Sequence, residues 1–436
     1  MERVTRVALI SEHASPVALR GGMDAGGQNV YVDEISRHLA QRGYAVDVFT
    51  RRDNPALSEV IDWAPGVRVI NLTAGPAAYR SKDVIWSDMP AFRDACLDFI
   101  DRYDMHYDLI HSNFWMSGWV ALELRQMLRI PVVHIFHALG VTKRLHQGSA
   151  DTSPAERIAV EVQIAKNVDY LLAPCPNEKA ELIKYYGAPP SHIRMIPLAV
   201  NANVFRPVAR TEARQRLGLS EHDFIIAYIG RILPRKDIRN IVQALPALIQ
   251  QCADDSTAPK IQLLIVGGET VKPDPQATPE IGELQRLATQ LGVAAQIHCV
   301  GNRQQNMLRY YYSASDVVVT TPWYEPFGLT PLEGMACGRP VIGSAVGGIP
   351  STVVDSETGF LVSPRQPGML ANRLYYLLKH PEHKEQMGRV ARQRVLQEFT
   401  WSQVAERTAD VYEESLTQPV LQPRSSRLDV SYSRRW

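Results

Sequence analysis

Residues 316–346 read DVVVTTPWYEPFGLTPLEGMACGRPVIGSAV, and they hold the whole architecture in miniature. The apolar run Val317–Val319 shows no polar alternation, the pattern of a strand buried on both faces of a sheet. Pro322, Pro326 and Gly328 then break the run, a helix follows through Met335 and Ala336, and PVIGSAV is apolar again. Strand, helix and strand in succession predict a parallel sheet covered by helices.

The same unit recurs outward in both directions. FIIAYIG, IQLLIVGG and QIHCVG precede this stretch as short strands separated by helical patterns. Further back, near residues 197–207, the pattern lapses into PLAVNANVFRPV, which reads as a linker. Before it lies another series: a strand at Val4–Ile10, a glycine-rich loop, a helix to about Arg42, then AVDVFT, VRVINL, DLIHS, PVVHIFH and YLLAP. At 436 residues the chain exceeds what one core usually organises. The fold class expected is therefore α/β, with two Rossmann-like, doubly wound parallel-sheet domains at 1–205 and 206–395. A helix at 396–416 is expected to pack back on the first domain, and 417–436 reads as a flexible tail rich in Pro, Ser and Arg. Ligands of such sheets bind beyond the carboxyl ends of the strands, so two units facing each other would enclose a central cleft. Fold alone does not assign the chemistry.

Composition removes several classes. With 47 basic against 46 acidic residues, the net charge of +1 gives no footprint for nucleic acid or a charged membrane surface. Cys96, Cys175, Cys252, Cys299 and Cys337 are scattered without a CxxC pair, as buried thiols of a reducing compartment are. MERVTRVALI runs straight into a strand and has no signal-peptide pattern, and no segment reaches the roughly 20 apolar residues of a membrane span. A cytoplasmic protein acting on small molecules is expected.

The chemistry concentrates in Glu325-Pro-Phe-Gly-Leu-Thr-Pro-Leu-Glu333. Glu325 sits at a strand exit, and Glu333 is expected in the first helical turn, where an acid could merely complement the helix dipole. Between them, the amides near Leu329 and Thr330 open a helix, a favourable place for phosphate. A second loop, Gly230-Arg231-Ile-Leu-Pro-Arg-Lys236-Asp, follows FIIAYI and offers a guanidinium and an ammonium. Isolated, such residues are solvated surface charge; after the first strand of a domain they suit a leaving diphosphate. There is no DxD triplet, so no metal is expected in that role. His134 and His137, three apart along a strand, would face opposite ways and could not share an ion. Absence of GxG and of a Walker loop disfavours dinucleotide oxidoreductases and P-loop kinases.

The E-x7-E segment with its PFGL core and the following GMACGRPVIGS resembles retaining glycosyltransferases of family 4. The resemblance covers nearly all of residues 4–415 and implies the GT-B fold. It also implies a UDP-sugar donor: Glu333 on the ribose, Leu329 and Thr330 beyond Phe327-Gly328 on the diphosphate with Arg231 and Lys236, and Glu325 by the transferred sugar. In the first domain, Gly21-Gly-Met-Asp-Ala-Gly-Gly-Gln-Asn29 resembles the D-x-GG-Q loop of sucrose synthases, sucrose-phosphate synthases and the inositol-phosphate transferase of mycothiol synthesis. That match puts Gly26 and Gly27 at the distal phosphate and Asp24, Gln28 and Asn29 near the sugars. His137, heading HALGVTKR, is commonly a structural residue at a strand end; the resemblance places it against the donor sugar, orienting it and stabilising charge without acting as a base.

Acceptor residues are implied less sharply. Lys82, Lys143, Arg144 and Arg157 each read alone as surface charge. Together they resemble the Lys and Arg that hold a phosphorylated sugar or cyclitol. Lys82 and Trp86, in K-x3-W spacing before a helix with Phe92 and Phe99, look like sucrose-phosphate synthases, as does HALG with its later lysine. Asn-Val-Tyr-Val and HSNFWMSG look like the inositol-phosphate enzyme. Ala138 replaces the serine of HSLG, and Phe114 stands where the inositol-phosphate enzyme carries tyrosine. The reading is a UDP-glucose-dependent retaining transferase, needing no cofactor, that delivers glucose to fructose 6-phosphate. Transfer to inositol phosphate or another glycan acceptor is the alternative. A silent nucleotide-sugar sensor or an epimerase would be the answer from a different class.

Overall fold

The computed structural model describes residues 4–20 and 26–419. The chain divides into two compact units, one formed by Met1–Pro197 with Trp401–Trp436, the other by Leu198–Thr400.

The first unit holds eight strands: β1 (Arg6–Ile10), β2 (Ala45–Arg51), β3 (Val60–Ala64), β4 (Val67–Leu72), β5 (Leu109–Asn113), β6 (Val132–Ile135), β7 (Tyr170–Ala173) and β8 (Ile193–Met195). They lie in the order β3-β4-β2-β1-β5-β6-β7-β8. Val7 sits between Val46 and Leu109 in the central register, and β5 is buried at every position. One strand departs from the parallel expectation: β3 runs antiparallel to β4. The cause is local, because Pro65-Gly66, with Gly66 at φ +76°, turns the chain through a two-residue hairpin. The Trp401–Thr417 helix packs on the Gly27–Gln41 helix. It buries Trp401 against Tyr31 and hydrogen-bonds Tyr412 Oη to His111.

The second unit holds β9 (Phe224–Ile229), β10 (Ile261–Val266), β11 (Ile297–Gly301), β12 (Val317–Thr320), β13 (Val341–Ser344) and β14 (Gly359–Val362), all parallel, in the order β11-β10-β9-β12-β13-β14. The strands β9, β12 and β13 are buried along their whole length, so both faces are covered. The stretch read as a linker is packed instead. Phe205 is buried edge-on to Tyr312 at 5.9 Å, and Val200 pairs with Thr400.

Among the parallel strands of each sheet the order reverses between β1 and β5 in the first and between β9 and β12 in the second. Loops leaving such adjacent strands diverge and leave a crevice, the usual ligand position of these sheets. The segments after β9 and β12 carry Arg231, Lys236 and Glu325; in the first unit Gln28 opens the helix that follows β1, Asn113 ends β5, and His137 follows β6.

Candidate active site

In the second unit, Thr330 Oγ1 donates to the Ile229 carbonyl at 3.2 Å, fixing the start of the Leu329–Ala336 helix beside the exit of β9. The helix is entered through Gly328 at φ +93°, a conformation that favours glycine. Phe327 and Gly328 are buried, while Leu329 and Thr330 are half-buried at the helix N-terminus. Behind this loop, a Cβ on Gly348 would meet Phe327 Cα at 2.4 Å, and the Gly348 amide donates to the Glu325 carbonyl at 3.1 Å. Gly347-Gly348 is therefore the backing of the Glu325–Phe327 loop.

Lys236 and Glu325 form a direct, half-buried ion pair that neither loop alone discloses. The 234–236 turn is further tied to the second loop by the Trp323 amide, which donates to the Arg235 carbonyl at 3.0 Å. Arg231 is exposed, and among the described residues it has no ion pair. One cation is thus held in place and another stands open to an anion.

Glu333 lies in the second turn of its helix, not the first, because Leu329 is the first helical residue. A carboxylate there gains little from the helix dipole. Its Oε2 accepts from Tyr312 Oη at 2.6 Å, and burial pushes the Glu333 carboxyl up to about 7, against the lowering effect of that hydrogen bond. Tyr312 escaped the sequence reading; it is one of three consecutive tyrosines in a helix 21 positions away.

In the first unit, Gly26 and Gly27 are exposed at the start of the Gly27–Gln41 helix. Asn29 is buried: its Oδ1 accepts from the Gly26 amide at 3.0 Å and its Nδ2 donates to the Ser15 carbonyl at 3.0 Å. Through these two bonds it shapes the turn into the helix. Gln28 donates to Ser11 Oγ at 3.3 Å. Asp24 lies outside the described residues.

His137 stands beyond the end of β6 in a left-handed conformation, φ +60°. Asn113 Nδ2 donates to the Ile10 carbonyl, which turns Oδ1 toward His137 Nε2 at 3.0 Å. Nε2 must then carry the proton, leaving Nδ1 as an acceptor. Burial, with His111 and His13 nearby, depresses the imidazole to about 3, so the ring is neutral at pH 7. The ring therefore offers hydrogen-bonding atoms and carries no positive charge of its own at that pH.

Arg157 is not surface charge. Its side chain is 3% exposed, with Nε on Glu161 at 2.8 Å, Nη1 on Ser153 Oγ at 3.2 Å and Nη2 on the Ala138 carbonyl at 2.7 Å. Glu161 also accepts from the Gly140 amide and Tyr186 Oη. Lys143 reaches the same Ser153 Oγ at 2.9 Å and pairs with Asp151 at 2.9 Å; Arg144 lies 3.7 Å from that carboxylate. Burial alone would raise the Asp151 carboxyl, but hydrogen bonds from Ser153 and Lys143 outweigh it and hold the group below its ordinary range. Thr152 donates to Asp83 at 2.7 Å, bringing the exposed Lys82 segment to the same loop. Trp86 packs against Trp115 at 4.6 Å. Lys82, Lys143, Arg144 and Arg157 therefore border one loop, residues 151–153. Three of the five N–H groups of Arg157 carry these hydrogen bonds.

Two parallel-sheet α/β units with their charged loops at the strand-order reversals define a glycosyltransferase of the GT-B fold. The chain belongs to glycosyltransferase family 4: residues 25–204 match the model described as Glycosyltransferase Family 4, and residues 209–394 match that of Glycosyl transferases group 1. It is similar to the D-inositol 3-phosphate glycosyltransferase of Corynebacterium diphtheriae, 34% identical over 93% of this chain and 94% of the relative. A D-inositol 3-phosphate glycosyltransferase of Catenulispora acidiphila is 35% identical over 94% of this chain and 95% of its own. Among solved structures, the sucrose-phosphate synthase of Thermosynechococcus elongatus superposes with a TM-score of 0.80 at 35% identity, covering 94% of this chain and 98% of that one. Among the described residues no helix is long and apolar enough to cross a membrane.

Proposed function

We propose that the protein transfers a sugar, with retention of configuration, from a UDP-sugar to a phosphorylated polyol, with inositol phosphate as the acceptor. The observation that carries a phosphorylated acceptor is the convergence of Lys143 and the buried Arg157 on Ser153. A planar fork and a point charge side by side suit a phosphomonoester. The relatives named for inositol 3-phosphate support the cyclitol over the fructose 6-phosphate first expected, as does the HSNFWMSG stretch. The Lys82–Trp86 spacing and the sucrose-phosphate synthase likeness support fructose 6-phosphate as the second reading.

In this scheme the amides of Leu329 and Thr330, with Arg231 and Lys236, neutralise the departing diphosphate, so no metal ion is required. In the second unit Glu333 holds the ribose hydroxyls and Glu325 orients the transferred sugar; in the first unit His137 offers Nδ1 as a hydrogen-bond acceptor. The test is UDP release from UDP-glucose and UDP-N-acetylglucosamine, in the presence of chelator. Inositol phosphate, fructose 6-phosphate and their unphosphorylated forms serve as acceptors. Turnover with inositol phosphate alone supports the first reading, and turnover with fructose 6-phosphate alone selects the second. Equal rates with unphosphorylated acceptors, or dependence on added magnesium, reject the respective parts of the scheme. UDP binding without turnover on any acceptor would point to a sensor.

A further inference from the structure

The turn after β1 holds two residues that the transfer scheme leaves unused. Glu12 is fully buried, and its Oε1 lies in hydrogen-bond contact with His13 Nδ1 at 2.7 Å. Its other oxygen accepts from Ser117 Oγ, which in turn takes a hydrogen bond from the Glu12 amide at 3.1 Å. Both carboxylate oxygens are thus acceptors, and the His13 ring must donate through Nδ1. His13 is 21% exposed and stands edge-on to Phe114 at 5.0 Å; the Arg157 guanidinium lies 5.1 Å from the centre of that same Phe114 ring. Phe114 therefore has the histidine and the phosphate-binding arginine as neighbours.

We propose that Glu12 is a positioning residue for the acceptor, locking His13 as the Nδ1–H tautomer so that Nε2 accepts a hydrogen bond from a hydroxyl of the phosphorylated polyol. This rests on the phosphorylated-acceptor reading above. A carboxylate behind an imidazole fixes which nitrogen carries the proton, and that choice sets what the other nitrogen offers a ligand. Glutamine at position 12 would keep the shape and reverse the polarity. Its oxygen would stay on Ser117, its amide N–H would confront Nδ1, and the ring would answer by moving its proton to Nε2. A hydroxyl acceptor thus becomes a donor without loss of volume.

The test combines kinetics with imidazole ¹⁵N spectra of wild type, Glu12→Gln, His13→Ala and the double variant. Glu12→Gln should raise the acceptor KM about tenfold, the order of one misdirected hydrogen bond. UDP affinity and kcat should stay within about twofold. The double variant should be no worse than His13→Ala, since Glu12 acts through that ring. In the spectra, wild-type His13 should be the Nδ1–H form and Glu12→Gln the Nε2–H form. Additive effects in the double variant, an unchanged acceptor KM, or an Nε2–H ring in wild type would overturn the proposal. Should Glu12→Gln fail to fold, the wild-type tautomer decides. Failure of every phosphorylated acceptor would sink the functional reading instead, and the tautomer spectra would still report on the Glu12–His13 coupling by themselves.

Discussion

Arg157→Ala should act first on stability and only then on the acceptor. The guanidinium faces Glu161, which has no solvent exposure, at 2.8 Å. Removing one partner of a buried ion pair costs about 3–5 kcal/mol, because the remaining charge is stranded. Glu161 keeps the Gly140 amide and Tyr186 Oη, so the lower end, about 3 kcal/mol, applies. With a urea m-value of about 2–3 kcal/mol/M, the unfolding midpoint should fall by about 1 M. Tryptophan fluorescence reads this transition, since Trp63, Trp86, Trp115, Trp119 and Trp401 all belong to the first unit. Adding Glu161→Gln removes the stranded charge and should recover roughly half of the loss. A midpoint shift below about 0.3 M in the single variant, or no recovery in the double, would refute the reasoning, because the pair would then be screened and dispensable. The rise in acceptor KM has to be measured where both proteins are folded.

Other consequences concern the donor loops. Because the Glu333 carboxyl sits near 7 in the free protein, UDP affinity should be full above that pH and fall as pH drops through it, about five- to tenfold between pH 8 and 6. Calorimetric titration should show a smaller slope for Glu333→Gln, and a UDP affinity about 10- to 100-fold weaker at pH 8; identical pH profiles would remove the carboxylate from the site. Lys236→Ala, which leaves Glu325 without its counter-ion, should lower kcat by about 10²–10³ with a smaller effect on UDP binding. A loss confined to UDP affinity would mean uniform binding instead. Gly348→Ala must displace the Glu325–Phe327 backbone and should cost at least tenfold in turnover. Gly368→Ala, where a Cβ meets nothing within 4 Å, should be silent in the same assay.

The buried strands were legible because consecutive Val and Ile residues have few other uses. The short strand β8, Ile193–Met195, and the edge strand β3 were not, being brief or partly exposed. The strand β14 opens with Gly359, whose missing side chain admits the Val341 carbonyl, and a pattern of apolar residues cannot register such a fit. At the site, Glu325, Glu333, Arg231 and Lys236 stood out through local motifs. Their partners did not, for Tyr312 and Glu333 are 21 positions apart, and Lys236 and Glu325 are 89 apart. The burial of Arg157 depends on Ala138 and Tyr186, whose nearness comes from the sheet and not from the helix that carries Arg157. Charge read from one-dimensional context defaults to the surface, whereas the Arg157 side chain is 3% exposed.

The return of the last helix to the first unit makes the second unit an insertion in topological terms, entered after Pro197 and left after Thr400. Truncation at residue 400 would unroof Tyr31 and His111, which take Trp401 and Tyr412 as neighbours. A chimaera that exchanges the second unit between relatives therefore needs two splice points. With both, residues 198–400 form a cassette; with only one, the recipient loses part of its own core.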